Sequence, residues 1–444
     1  MGPQISLDHA RADVCGIIVL FRRSNRRSIV KPAALLLLAI LTPVGFLFAP
    51  WQSGGLGASA QAPQGQPGGR GGFVLGADPM PGTAADHLSK LKLPAGFSIA
   101  LYADQVPGAR SMTLGSDGTV FVGTRAQTVY AVVDRNKDFK ADEVLTLASG
   151  LTSPNGVAFR DGALYVAENS RISRYDGVVD FAKVAGGSGP APKQTVLTDK
   201  LPPDRMHGWK YLTFGPDGLL YSAIGAPGNI LDRGDPYATI IRMKPEPGTQ
   251  WEIFARGVRN TVGYTWHPDT REMWFTDNGR DALSDDTPND ELNVAAKPGL
   301  HFGYPYCHQG DIIDPEFGKG KNCADYVAPA QKLGPHVAGL GLKFYAGSMF
   351  PQEYRKQLIV VNHGSWNRSP QVSHTGYRLM LAKVQNNKVT SYEPFVEGWL
   401  QAAPGSEIKR QAWGQPVDLL ELPDGSLLVS DDRANVIYRI TYRK

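Results

Sequence analysis

Cysteine is scarce in this chain, with 3 among 444 residues. None lies in a C-x-x-C-H run, which excludes a c-type haem attached to this polypeptide. Charge of one sign is also missing: 46 Lys and Arg face 42 Asp and Glu, a formal +4. No basic patch is interleaved with aromatics, so nucleic acid is excluded as a partner. The internal repeats described below have strand periodicity rather than helical periodicity, which excludes a helical solenoid. What is abundant is turn-forming residue, with 50 Gly and 33 Pro. In a long, ordinarily hydrophobic chain that composition implies many turns and an all-β fold.

Residues 1–60 read as an export leader. Basic residues cluster in FRRSNRRSIVK, and the apolar run PAALLLLAILTPVGFLFAPW follows, interrupted by Thr42-Pro43. Ala58-Ser59-Ala60 has the small-x-small pattern of a signal peptidase site. The run is either a long h-region or a short membrane anchor, and NRRSIVK fits either a twin-arginine signal or a plain basic n-region. A periplasmic or secreted location follows, with membrane contact only through an uncleaved leader. Cys15 falls in the leader. In an oxidising compartment Cys307 and Cys323, flanked by Gly, Pro and Asp, read as a local disulfide worth about 3 kcal/mol. Residues 61–92, rich in Gly, Pro and Gln, read as a disordered linker. Residues 93–444 are the folded part.

That part repeats. Met112 to Arg125, Val157 to Asn169, Leu212 to Gly225 and Leu419 to Asp432 each contain a strand, an Asp-Gly turn and a second strand. Tyr264 to Gly279 repeats the unit with Asp-Thr-Arg at its turn, and Ser348 to Ser365 is a degraded copy. Asp-Gly between two strand patterns is a hairpin signal, because Gly accepts positive φ. Repeats spaced tens of residues apart point to blades, and six units predict a six-bladed β-propeller of four-stranded antiparallel blades.

The unusual polar residues lie before or after these hairpins, on loops that a propeller brings to one rim. They are Arg110, SPNG with Asn155, DRMHGWKYL with His207, GVRNTVGY with Arg259 and Asn260, TDNGRD with Asn278 to Arg280, HGSWNR with His363 and Arg368, and WGQPVD with Gln415. Taken in order, DRMHGWKYLTFGPDGLLYSAIG, RGVRNTVGYTWHP, TDNGRD…DELN, FGYPYC and HGSWNRS resemble the soluble glucose/sorbosone dehydrogenase family. The resemblance covers roughly Leu93 to Arg443. It implies pyrroloquinoline quinone (PQQ) and calcium as cofactors, and oxidation of an aldose or a sorbosone-like hydroxy-aldehyde.

His207 is the expected general base, since a neutral imidazole takes a hydroxyl proton near neutral pH. Arg259 and Asn260 match the family's quinone-contacting pair. Arg110, Arg368 and, by proximity, Lys210 are further candidates for the cofactor's three carboxylates. His363, Asn155 and Gln415 complete the expected cofactor-facing set, and Trp366 and Asn367 shape the loop or the sugar entrance. The loop Asn278-Gly279-Arg280 matches the one whose carbonyls hold calcium in the family. Asp290 and Glu291, with Asp285 and Asp286, are candidate ligands for a second calcium. Two positions depart from the family. Ala226 stands where the glucose-oxidising branch has an aspartate that orients the base, leaving Asp204 as a substitute or the base unassisted. Gln415 stands where many relatives have arginine. An external electron acceptor, a quinone or a cytochrome, is implied because no haem motif is present. Two other readings remain open: a calcium-dependent lactonase or esterase propeller, and a non-catalytic binding propeller.

Overall fold

The computed structural model describes residues 76–443, so the predicted leader lies outside the described residues. The repeats are strand pairs, and each pair is the inner half of a blade. The second strands Val120–Thr124, Ala163–Ala167, Leu220–Ile224, Met273–Asp277, Leu358–Asn362 and Leu427–Asp431 are buried along their whole length. Each lies in a sheet packed between two neighbours, so both its faces are covered, and it reads as a short apolar run.

Six four-stranded antiparallel blades result, one of them extended by a fifth strand. Blade 1 is Ala109–Leu114, Val120–Thr124, Val129–Val133 and Glu143–Ala148. Blade 2 runs from Gly156–Arg160 to Lys193–Thr198, and blade 3 from Leu212–Phe214 to Trp251–Arg256, where Leu300–His301 adds on in parallel. Blade 4 starts at Tyr264–Trp266 and closes with Gln331–Pro335, after the long insertion. Blade 5 spans Gly339–Phe344 to Lys388–Glu397. Its degraded repeat has a physical cause: a connection containing the 3-10 turn Gln352–Tyr354 replaces the tight turn.

Blade 6 joins the two ends of the chain. Pro416–Glu421, Leu427–Asp431 and Val436–Tyr442 are completed by Phe97–Ala103, with Ile99 opposite Ile440. The ring is therefore closed by backbone hydrogen bonds, which leaves no open seam. At the far end from the candidate residues, Gly118 and Gly218 sit at φ +92° and +81° in the Asp-Gly turns.

Residues 76–92 correct the linker boundary. Asp78–Pro79 pairs in parallel with Gln411 and Ala412, Ala84–His87 forms a helical turn, and Met80 and Leu88 pack on the core that contains Trp413. Composition hides this segment because its order comes from tertiary contacts rather than local pattern.

Candidate active site

The loops that leave the second strands and those that enter the inner strands emerge at one end of the ring. His207 sits on the loop entering blade 3, at φ +50°. The loop turns back over Asn169, whose Nδ2 donates to the carbonyls of Pro203 (3.1 Å) and Asp204 (2.9 Å). Gly225, at the end of the paired strand, lets His207 approach. A Cβ there would lie 2.5 Å from His207 Cβ and 3.3 Å from the Arg259 carbonyl oxygen.

His207 Nδ1 lies 2.8 Å from the main-chain oxygen of Ala226. A carbonyl only accepts, so Nδ1 carries the proton and Nε2 keeps a lone pair. Residue 226 thus orients the imidazole through its backbone, without a carboxylate. Asp204 does not substitute: it accepts from Tyr237 Oη (2.6 Å) and Arg233 (3.2 Å). Burial, helped by the Arg259 charge and opposed by the Ala226 hydrogen bond, lowers the His207 pKa to about 3. Lys210 is buried, donates to the Gly208 carbonyl (3.0 Å) and has its pKa lowered to about 8 by burial.

Arg259 is buried on the loop entering blade 4. Its Nε donates to the Asn229 carbonyl (2.8 Å), and its terminal nitrogens donate to Asn229 Oδ1 (2.9 Å), the Asn278 carbonyl (3.0 Å) and Asp281 (3.2 Å). The backbone N–H groups of Arg259 and Asn260 both donate to Asp277, at 2.8 and 2.6 Å. The Asn260 side chain is half-buried.

The expected calcium loop is held from behind. Gly279 N–H donates to Asp290 Oδ1 (2.7 Å), whose other oxygen takes Ala338 N–H (2.7 Å). Glu291 accepts from Gln309 N–H (2.6 Å) and Asn293 (2.9 Å). Burial raises Asp290 to about 6, Asp277 to about 7 and Glu291 to about 8, the last with help from the Asp277 charge. These carboxylates are thus backbone anchors, and no cluster of three metal-ligating acidic, His or Cys side chains occurs among the described residues. Asp285 and Asp286 also turn elsewhere, to Ser369 and Arg368. Arg280 pairs with Asp314 (2.6 Å) and Glu316 (2.8 Å), so its guanidinium braces the insertion. Asn278 Oδ1 is buried without a partner.

Arg110 and Asn155, expected to face a cofactor, are bonded to each other. Arg110 Nε donates to Asn155 Oδ1 (2.6 Å), and Asn155 Nδ2 donates to the Lys210 carbonyl (2.7 Å). Both are buried, so they support the rim from below. Arg110 also pairs with Asp432 (2.7 Å), which takes His363 Nε2 on its other oxygen (2.9 Å). In HGSWNR, Arg368 donates to the Asp285 carbonyl (2.5 Å) and Asp286 (3.3 Å), leaving its Nε buried and unpartnered. Asn367 donates to Asp281, and Trp366 is exposed. Gln415 is half-buried, and its N–H donates to Asp431 (2.8 Å).

Sequence reasoning missed Asp432, Asn229 and Asp281. Asp432 occupies on blade 6 the place that His363 occupies on blade 5, just past the second strand, and comparing equivalent positions would have found it. Asn229 and Asp281 meet across two loops, which no local pattern signals.

Cys307 and Cys323 form a disulfide across a separation of 16 residues. Replacing both with serine is expected to cost about 3 kcal/mol in urea unfolding. A loss under about 1 kcal/mol would mean that the insertion is held by its other contacts.

A model of the family described as glucose/sorbosone dehydrogenase matches residues 190–362. An uncharacterized protein of Borreliella burgdorferi is 31% identical over 369 residues, covering 81% of this chain and 93% of that protein. The fold is also that of two solved structures. One is the holo PQQ domain of pyranose dehydrogenase from Coprinopsis cinerea, with TM-score 0.64, 18% identity, and 82% of this chain and 98% of that one covered. The other is PQQ-bound aldose sugar dehydrogenase from Streptomyces coelicolor, with TM-score 0.53, 19% identity, and 79% and 100% covered. Together with the six blades and the ordered rim motifs, these matches place the chain in the glucose/sorbosone dehydrogenase family.

Proposed function

We propose that the protein is a PQQ- and calcium-dependent dehydrogenase that oxidises an aldose or a sorbosone-like hydroxy-aldehyde. It is exported to the periplasm or secreted, and it hands electrons to an external quinone or cytochrome. The observation that carries this reading is His207, with Nδ1 tied to a carbonyl and Nε2 left as a lone pair beside a fixed arginine.

The rim fits the cofactors through its orphaned atoms. Asn278 Oδ1 is a buried acceptor without a partner, suited to a hard cation. Arg368 Nε is a buried donor without a partner, suited to a carboxylate. They are two of fifteen such atoms among the described residues, so they are compatible with a bound group at the rim without marking it out from the core. When bound, the quinone supplies the two-electron acceptor and calcium the Lewis acid.

The chain's own part is proton handling and positioning. His207 Nε2 takes the proton of the sugar hydroxyl, and the Ala226 carbonyl holds the tautomer. Asn229 and Asp281 fix the Arg259 guanidinium, whose charge favours the neutral imidazole and opposes its protonated form. Apo-protein given PQQ and calcium is expected to develop a bound-quinone absorbance and to reduce an artificial dye with an aldose. No cofactor uptake, together with lactone hydrolysis abolished by chelation, would replace this reading with the lactonase one.

A further inference from the structure

Four of the rim arginines are buried and direct most of their donors into the chain. Arg110, Arg259, Arg280 and Arg368 are 2%, 3%, 5% and 6% exposed. Arg125, the first residue past the second strand of blade 1, differs. Its side chain is 47% exposed, and its nearest carboxylate, Asp432, is 3.5 Å away. Its guanidinium donates no hydrogen bond among the described residues.

Arg125 is nevertheless held in place. The guanidinium carbon lies 4.7 Å from the centre of the Trp209 ring, a cation–π contact. Trp209 is two residues after His207 and packs on Val262, just before the inner strand of blade 4, and on Leu340 and Val417, at the starts of the inner strands of blades 5 and 6. A guanidinium lying on an anchored indole keeps its edge of N–H donors open and oriented.

The local charge favours an anion. Asp432 carries one negative charge and is shared among Arg110, His363 and, at 3.5 Å without a hydrogen bond, Arg125, so it offsets only part of the positive charge gathered there. A neutral diol would gain less from that charge than an anion does. A planar acceptor with two oxygens matches the open fork.

We infer that Arg125, lying on Trp209, is a carboxylate-binding residue of the active site. The inference rests on the proposed cofactor-dependent function. The carboxylate belongs either to the quinone cofactor or to an acidic sugar substrate.

The test begins with wild-type apo-protein titrated with PQQ plus calcium, read by quenching of tryptophan fluorescence. The same titration follows for Arg125→Gln and Arg125→Lys, with the thermal midpoint of each. If the cofactor is the source, the dissociation constant rises about tenfold or more in Arg125→Gln, and less in Arg125→Lys, which keeps the charge but not the fork. The midpoint stays put. If the substrate is the source, cofactor affinity is unchanged, and KM rises about tenfold for a uronic acid but not for a neutral aldose. Equal cofactor affinity and equal KM values in wild type and Arg125→Gln overturn the inference. Wild type that takes up no PQQ overturns the underlying functional reading, and this inference with it, before any variant is made.

Discussion

Changing His207 to alanine is expected to lower kcat of the cofactor-loaded enzyme about 10²- to 10⁴-fold. PQQ affinity and thermal stability should change little. Loss of the imidazole removes the group whose Nε2 is held open by the Ala226 carbonyl, and no described carboxylate replaces it, since Asp204 is committed to Tyr237 and Arg233. The pH dependence follows from the same geometry. Burial first, then the Arg259 charge, lower the His207 pKa to about 3, against an ordinary value of 6.5. A base works deprotonated, and a lowered pKa keeps it deprotonated into acid. The imidazole resonances of His207 in apo-protein should therefore not titrate between about pH 5 and 8, where a free histidine does. A midpoint near 6.5 would mean that the ring is solvated and not held as described. Full activity in cofactor-loaded His207→Ala would show that another group takes the proton.

The fold and the site were legible to different depths. The hairpins announced themselves because each second strand is buried on both faces and, in every blade but the fifth, the turn at the far end is a compact chain reversal. The rim was legible as a location, since loops flanking equivalent strands converge, and His207, Arg259 and HGSWNR all lie there. Roles were less legible, because a role depends on what a side chain meets. Arg110 and Asn155 stand in the right loops but are buried against each other. Arg280 is committed to Asp314 and Glu316. The partner of His207 is a main-chain oxygen, which leaves no trace in residue identity: Ala226 looked like a loss and turns out to keep the contact. The acidic run invited a calcium reading, yet Asp290 and Glu291 instead receive N–H groups that tie down three loops.

Asp432 is where the architecture and the site meet, and its removal should have the largest effect on stability. It stands on blade 6, pairs with Arg110 on blade 1 at 2.7 Å and takes His363 on blade 5 at 2.9 Å. It therefore bridges three consecutive blades beside the point where the ends of the chain close the ring. Burial pushes its carboxyl upward, but the bond to His363 and the charges of Arg110 and Arg125 outweigh that and hold it far below the ordinary carboxylate range. Asp432→Ala leaves the Arg110 guanidinium, 2% exposed, without its counter-ion. Breaking a buried pair in this way costs about 3–5 kcal/mol, whereas an exposed pair costs about 1 kcal/mol or less. Urea unfolding of Asp432→Ala at neutral pH should show the larger figure, and a loss of about 1 kcal/mol or less would show that the pair does not hold the seam. The sign with pH is fixed too. A carboxyl with a depressed folded-state pKa stabilises above its unfolded value, and that gain disappears as pH falls toward the folded value. The gap between wild type and Asp432→Asn should therefore be full at neutral pH, begin to narrow below about pH 4 and keep narrowing into strong acid. A gap that stays constant from about pH 5 down to about pH 2 would place the Asp432 carboxyl in the ordinary range. Arg110→Met combined with Asp432→Leu removes both charges and should recover part of the stability lost by Asp432→Ala alone, because no buried guanidinium is left without its counter-ion, although His363 and Asn155 each lose a hydrogen bond.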